Sequence, residues 1–207
     1  MKSNPWLSIN PSDYEAHMSH DSVYQLQTLS DLTRRRIQMY KPSSMMFFGA
    51  CTGNGFEHIT LSTKVYAVDI NESFLDLCRE RYSSTLKDLR CIHGDIGDET
   101  LSLPQVDLII CDLIFEYVNI EKVLPRMGAL LTSKGILSTV IQKNNNNSFV
   151  SDTGVKSLTV LSTIAKEVAE EDITRLIHDN DLIILVRESH LLPNGKEFIR
   201  IDCGKNN

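Results

Sequence analysis

No two of the five cysteines (51, 78, 91, 111 and 203) form a C-x-x-C pair, and their number is odd. That argues against a disulfide framework or a structural zinc site and fits a reducing compartment. His20, His93, His178 and His190 show no ligand spacing, so no metal site is expected. The chain has no apolar run long enough to span a membrane, and Met1-Lys-Ser-Asn-Pro-Trp6 lacks the apolar core of a signal peptide. A cytoplasmic location without membrane contact is the expectation. Positive charge is also short: 21 Lys and Arg stand against 27 Asp and Glu, for a net charge of −6. Nucleic-acid partners, which need clustered basic residues, are therefore not expected. The only dense basic run, Arg34-Arg35-Arg36, reads as a solvated helix face. The dinucleotide fingerprint G-x-G-x-x-G is absent, which argues against a nicotinamide-dependent oxidoreductase.

Apolar residues make up 42% of the 207, enough for one sizeable core. Strand-like and helix-like segments alternate. Strands are expected at 44–49, 64–69, 88–93, 106–112 and 135–141. Helices are expected near 54–61, 72–84 and 120–132, with helical segments around 158–168 and from 169. Alternation of this kind implies a mostly parallel sheet with helices on both faces. Two final strand-like runs, Leu182–Val186 and Glu197–Ile201, are joined through Pro193-Asn194-Gly195, a hairpin signal. The tract Asn144–Asn147 reads as an exposed, mobile loop. Upstream, helical spacing is expected from about Tyr14 and again from Ser22 to Tyr40, ended by Pro42.

The most informative stretch follows the first strand. The apolar run Met45–Phe48 breaks into Gly49-Ala50-Cys51-Thr52-Gly53-Asn54-Gly55. The next apolar run ends in Asp69-Ile70. A strand that breaks into a glycine-rich turn lets backbone N–H groups approach a ligand, and a following helix would point its positive end there. An acid at the tip of the second strand is placed to bind a ribose. Asp95-Ile96 and Cys111-Asp112-Leu113 likewise sit just past apolar runs, where open parallel sheets bind ligands.

Glycines at 49, 53 and 55 give G-x-x-x-G-x-G, which resembles motif I of the class I S-adenosylmethionine-dependent methyltransferases. Phe47 stands where that family usually has an acid, and Cys51 where it has a middle glycine. Gly94-Asp95-Ile96 resembles the family segment that flanks adenine, and Val106–Leu113 its fourth strand. The resemblance implies a Rossmann-like seven-stranded sheet closed by an antiparallel hairpin. It implies S-adenosylmethionine as cofactor and methyl transfer to an acceptor. The binding residues it implies are Gly49, Ala50, Cys51, Thr52, Gly53, Asn54, Gly55, Asp69, Ile70, Asp95, Ile96, Cys111, Asp112 and Leu113. The fourth strand continues Asp112-Leu-Ile-Phe115, without the family's nucleic-acid signatures, so a small-molecule acceptor is expected. The alternative is a cofactor-binding protein of the same fold without turnover, acting as a sensor or partner subunit.

The segment Asp13-Tyr-Glu-Ala-His-Met18 is similar to the N-terminal lid of a bacterial small-molecule group of that family. Tyr14, His17 and Met18 share one helical face. Residues 1–43 are expected to form a helical lid and residues 44–207 the cofactor-binding core, within one compact domain. Tyr14 and His17 are the candidate catalytic residues, and one of Glu116 and Tyr117 is expected to face the substrate.

Overall fold

A computed structural model of the chain describes residues 4–206; the first three residues of the expected lid and Asn207 lie outside it. Helix α1 (Pro11–Met18) is capped by Asn10, whose side chain accepts the Ser12 N–H, with Pro11 in the first turn where its missing N–H costs nothing. Helix α2 (Gln25–Tyr40) ends at Lys41 in the left-handed region, ahead of Pro42. The remaining elements are β1 (Ser44–Phe48), β2 (Lys64–Asp69), α3 (Glu72–Tyr82), β3 (Leu89–His93), β4 (Val106–Asp112), α4 (Ile120–Ala129), β5 (Leu131–Lys143), α5 (Glu170–Asp179), β6 (Leu182–Leu191) and β7 (Glu197–Lys205).

The seven strands form one sheet in the order β3-β2-β1-β4-β5-β7-β6. The pairs from β3 through β5 are parallel, and β7 runs antiparallel to both β5 and β6. Strand periodicity sends alternate residues to opposite faces. Met46 and Phe48 join the core under α4 and α5, with Val123, Met127 and Ile177. Met45 and Phe47 join the other core, with Leu75 and Cys78 of α3 and Ile37 of α2. The strand order reverses between β1 and β4, so the crevice at their carboxyl ends is the natural ligand position.

Three local expectations are corrected. The segment after the glycine turn is a single 3-10 turn, Phe56–His58, so no helix dipole points at the loop. Residues 156–163 are also a 3-10 helix, and the α-helix starts only at Glu170. The Asn144–Asn147 tract is the expected exposed loop at residues 145–147, but it is anchored at Asn144, which is buried and whose side chain accepts a hydrogen bond from Gln142 Nε2 at 2.8 Å, while Asn147 folds back on its carbonyl.

Candidate active site

A cavity of about 200 Å³ opens above the carboxyl ends of β1, β2 and β4. At its floor the chain turns through Gly49 at φ +66°. The Gly49 and Ala50 N–H groups both donate to the Val68 carbonyl, at 2.9 and 3.2 Å, which ties the turn to β2. Cys51 then takes φ +46°, an unfavourable conformation for a side-chain-bearing residue. Its N–H donates to Asp69 Oδ2 at 2.8 Å, and the Asn71 N–H donates to Asp69 Oδ1 at 2.9 Å. Both carboxylate oxygens are thus oriented by backbone donors. Burial raises the Asp69 carboxyl, and the backbone N–H groups of Asn71, Cys51 and Ile70 partly offset that.

Gly49, Ala50, Cys51 and Asn54 line the cavity, as do Asp69, Ile70, Asp95 and Ile96. Asp112 and Leu113 do so as well. Thr52, Gly53, Gly55 and Cys111 do not. A Cβ on Gly53 would meet Cys78 and Tyr82, and one on Gly55 would meet Thr33. These two glycines serve positive φ and close packing rather than ligand approach. Cys111 is fully buried in the core under α4.

The roof comes from the N-terminal segment and from residues 149–161. Trp6, Tyr14, His17 and Met18 line the cavity from above, facing Phe149 and Leu158 of the other segment. Asn71 holds this roof down. Its Nδ2 donates to the Trp6 and Ile9 carbonyls, both at 2.9 Å, while its Oδ1 caps α3 through the Ser73 N–H. Arg81 pairs with Glu15, and Asp13 accepts from Ser157 at 2.6 Å. Asn71→Ala removes all three of its bonds. Hydrogen exchange of residues 5–18 should then accelerate about tenfold, while β1 and β4 stay unchanged. Equal exchange in variant and wild type would mean that Asn71 does not hold the roof.

Burial, with the Cys51 thiol beside it, pushes the Tyr14 phenol well above the ordinary range, so it stays neutral. His17 Nδ1 meets Thr153 Oγ1 at 2.8 Å. Burial, with Lys196 and His20 nearby, lowers its pKa and favours the neutral ring.

Arg36 escaped the sequence, and Glu116, one of the two residues expected to face the substrate, lines the cavity with Tyr117. Arg36, expected on a solvated face, is completely buried and grips Asp112 bidentately at 2.7 and 2.9 Å, so α2 reaches into the site. Glu116 is also completely buried. Its Oε1 accepts the Gln142 N–H at 2.8 Å, and its Oε2 has no partner among the described residues. Burial first, and then the neighbouring Asp112 charge, lift its carboxyl to about 7 against the hydrogen bond from Gln142.

Residues 47–139 match a family model described as a methyltransferase domain. No curated protein matches the chain. Among solved structures, the magnesium protoporphyrin IX methyltransferase from Synechocystis with bound S-adenosylmethionine is similar, at TM-score 0.74 and 11% identity, covering 97% of this chain and 93% of that one. An S-adenosylmethionine-dependent methyltransferase from Clostridium acetobutylicum matches at TM-score 0.69 and 17% identity, over 96% and 100% of the two chains. An N-methyltransferase from Bradyrhizobium japonicum, in complex with S-adenosylhomocysteine, matches at TM-score 0.69 and 13% identity, over 99% and 100%. At such identities the likenesses speak to the shared fold.

Proposed function

We infer that this class I S-adenosylmethionine-dependent methyltransferase acts on a small molecule. The observation that carries the reading is the roofed aromatic chamber beside the end of β4. Trp6 stands edge-on to Tyr117 at 5.2 Å, and Tyr117 to Phe149 at 6.1 Å. A roofed apolar chamber suits a compact acceptor better than a polymer. The three solved relatives named above are all methyltransferases, and one carries magnesium protoporphyrin IX in its name.

The residues present fit the cofactor. Asp69 turns an oriented carboxylate towards the cavity for the ribose hydroxyls, and Asp95 has an oxygen left over from its turn with Gly97 for the adenine amine. Ile70 and Ile96 offer apolar surface to a flat base. Phe47, in place of the family's acid, packs against Phe56 at 4.6 Å within the core and contributes no charge. When bound, the cofactor supplies an electrophilic methyl group and leaves as the neutral thioether. The chain's own contribution is to position the acceptor, exclude water and receive any proton the acceptor must lose. Tyr14 is assigned to positioning, as a roof donor; His17, neutral in its pocket, is assigned to the wall the acceptor meets.

Calorimetry should show binding of S-adenosylmethionine and S-adenosylhomocysteine and none of NAD. Asp69→Ala removes a charge-assisted acceptor and should weaken cofactor binding roughly ten- to a hundredfold. NAD binding without either sulfur ligand would overturn the reading. Cofactor binding with no methylated product from any acceptor would leave a binding protein of the same fold.

A further inference from the structure

Two buried ionisable groups that line the chamber have no counter-ion among the described residues. Glu116 is wholly enclosed, with Oε2 unpartnered. Lys196, from the turn between β6 and β7, is equally enclosed. Its Nζ donates to the Phe149 carbonyl at 2.6 Å and has no carboxylate partner among the described residues. Both line the chamber that Trp6, Tyr117 and Phe149 wall with aromatic surface. The other charges facing this region are accounted for. Asp112 is held by Arg36, and His17 meets Thr153. Gln25 Nε2 donates to Gln142 Oε1, and Gln142 Nε2 to the Asn144 side chain, so those amides offer no counter-charge. A buried charge without a partner is costly, and a fold that keeps two of opposite sign on one cavity wall places them for an occupant.

We propose that the methyl acceptor is a flat apolar hydroxy acid, whose hydroxyl donates to Glu116 Oε2 and whose carboxylate meets Lys196. This rests on the methyltransferase reading. The acceptor's O–H bond breaks: its proton goes to Glu116, and its electron pair forms the bond to the transferred methyl carbon. The bond from that carbon to sulfur breaks, and its electrons stay on sulfur. Glu116 is thus the proton acceptor, and Lys196 selects the acid end. The raised carboxyl of Glu116 and the Lys196 ammonium, lowered to about 8 by burial, agree with groups held for each other's complement in a ligand.

The test uses the full chain. Calorimetry first establishes S-adenosylhomocysteine binding; its failure would overturn the methyltransferase reading and this one with it. With that ligand bound, 2-hydroxybenzoate, 4-hydroxybenzoate and 4-hydroxycinnamate are compared with phenol, benzoate and benzylamine. At least one hydroxy acid should bind tenfold or more tighter than phenol and benzoate. With S-adenosylmethionine, that compound should yield its methyl ether by mass spectrometry. Lys196→Met should erase the preference over phenol, and Glu116→Gln the preference over benzoate. Glu116→Gln should also abolish the acidic limb of the kcat/KM pH profile. The wild-type panel decides even if a variant fails to fold. Cofactor binding with no hydroxy-acid preference, tighter binding of benzylamine, or an acidic limb that follows His17→Asn instead of Glu116→Gln would each overturn the proposal.

Discussion

Arg36→Met is expected to cost about 3–5 kcal/mol of stability, more than any surface arginine in the chain. The guanidinium has no solvent exposure, and its partner Asp112 keeps only 10% of its side-chain surface. Removing the cation leaves a carboxylate enclosed with nothing to balance it. Arg35, one residue earlier and paired with Glu188 at a half-open surface, should cost no more than about 1 kcal/mol when changed to Met. Urea denaturation of the two variants makes the comparison. Replacing Asp112 by Asn in the Arg36→Met background should recover part of the loss, because the stranded charge is then gone. Equal losses for Arg35 and Arg36 would show that the bidentate pair is not enclosed in solution.

Glu116→Gln should flatten the dependence of stability on pH. The sign follows from linkage. In the unfolded chain the carboxyl titrates near 4.5, and in the fold near 7. The folded state therefore favours the protonated form. The associated stability is complete below pH 4.5 and is lost as pH rises towards 7, a difference of about 3 kcal/mol. Glutamine mimics the protonated acid at every pH. Denaturation midpoints of wild type and variant should accordingly converge near pH 4.5 and separate by pH 8, with the variant more stable. Asp69 and His17 also titrate differently in the fold, and taking the difference between the two curves removes their contribution. Parallel curves from pH 4.5 to 8 would mean that Glu116 is not buried as a lone carboxyl.

Periodic information carried the fold. Alternating apolar runs and helix-spaced faces place the sheet and its two cores, and Asn194-Gly195 announces the final hairpin. The acids Asp69 and Asp112 were legible because strand ends are visible in one dimension. What was hidden depends on contacts between distant segments. Helical spacing puts Arg36, four residues after Leu32 and seven after Leu29, on the buried face of its helix, but the run of three arginines hides that signal, and the partner that balances its charge stands 76 residues on. Glu116, Gln142 and Lys196 line one cavity from three separate parts of the chain. The glycines misled in a different way. Gly53 and Gly55 suggest a ligand loop, yet the side chains that need their missing Cβ belong to Cys78, Tyr82 and Thr33. Asn144 was misread because burial of an amide depends on partners the local sequence does not reveal.

The place of β7 between β5 and β6 has a temporal consequence. Translation delivers β6 before the strand that joins it to the sheet. Until residues 197–205 leave the ribosome, β5 presents an open edge, and β6 has no neighbour for its backbone. Ile183 and Leu185, still exposed in the finished protein, are then carried on an unpaired ribbon. Lys196 precedes that last strand, so the nascent chain can build its glycine turn and Asp69 tip well before the chamber beside them has its second charge. Vectorial synthesis thus completes the glycine-turn side of the cavity first and its Lys196 side last.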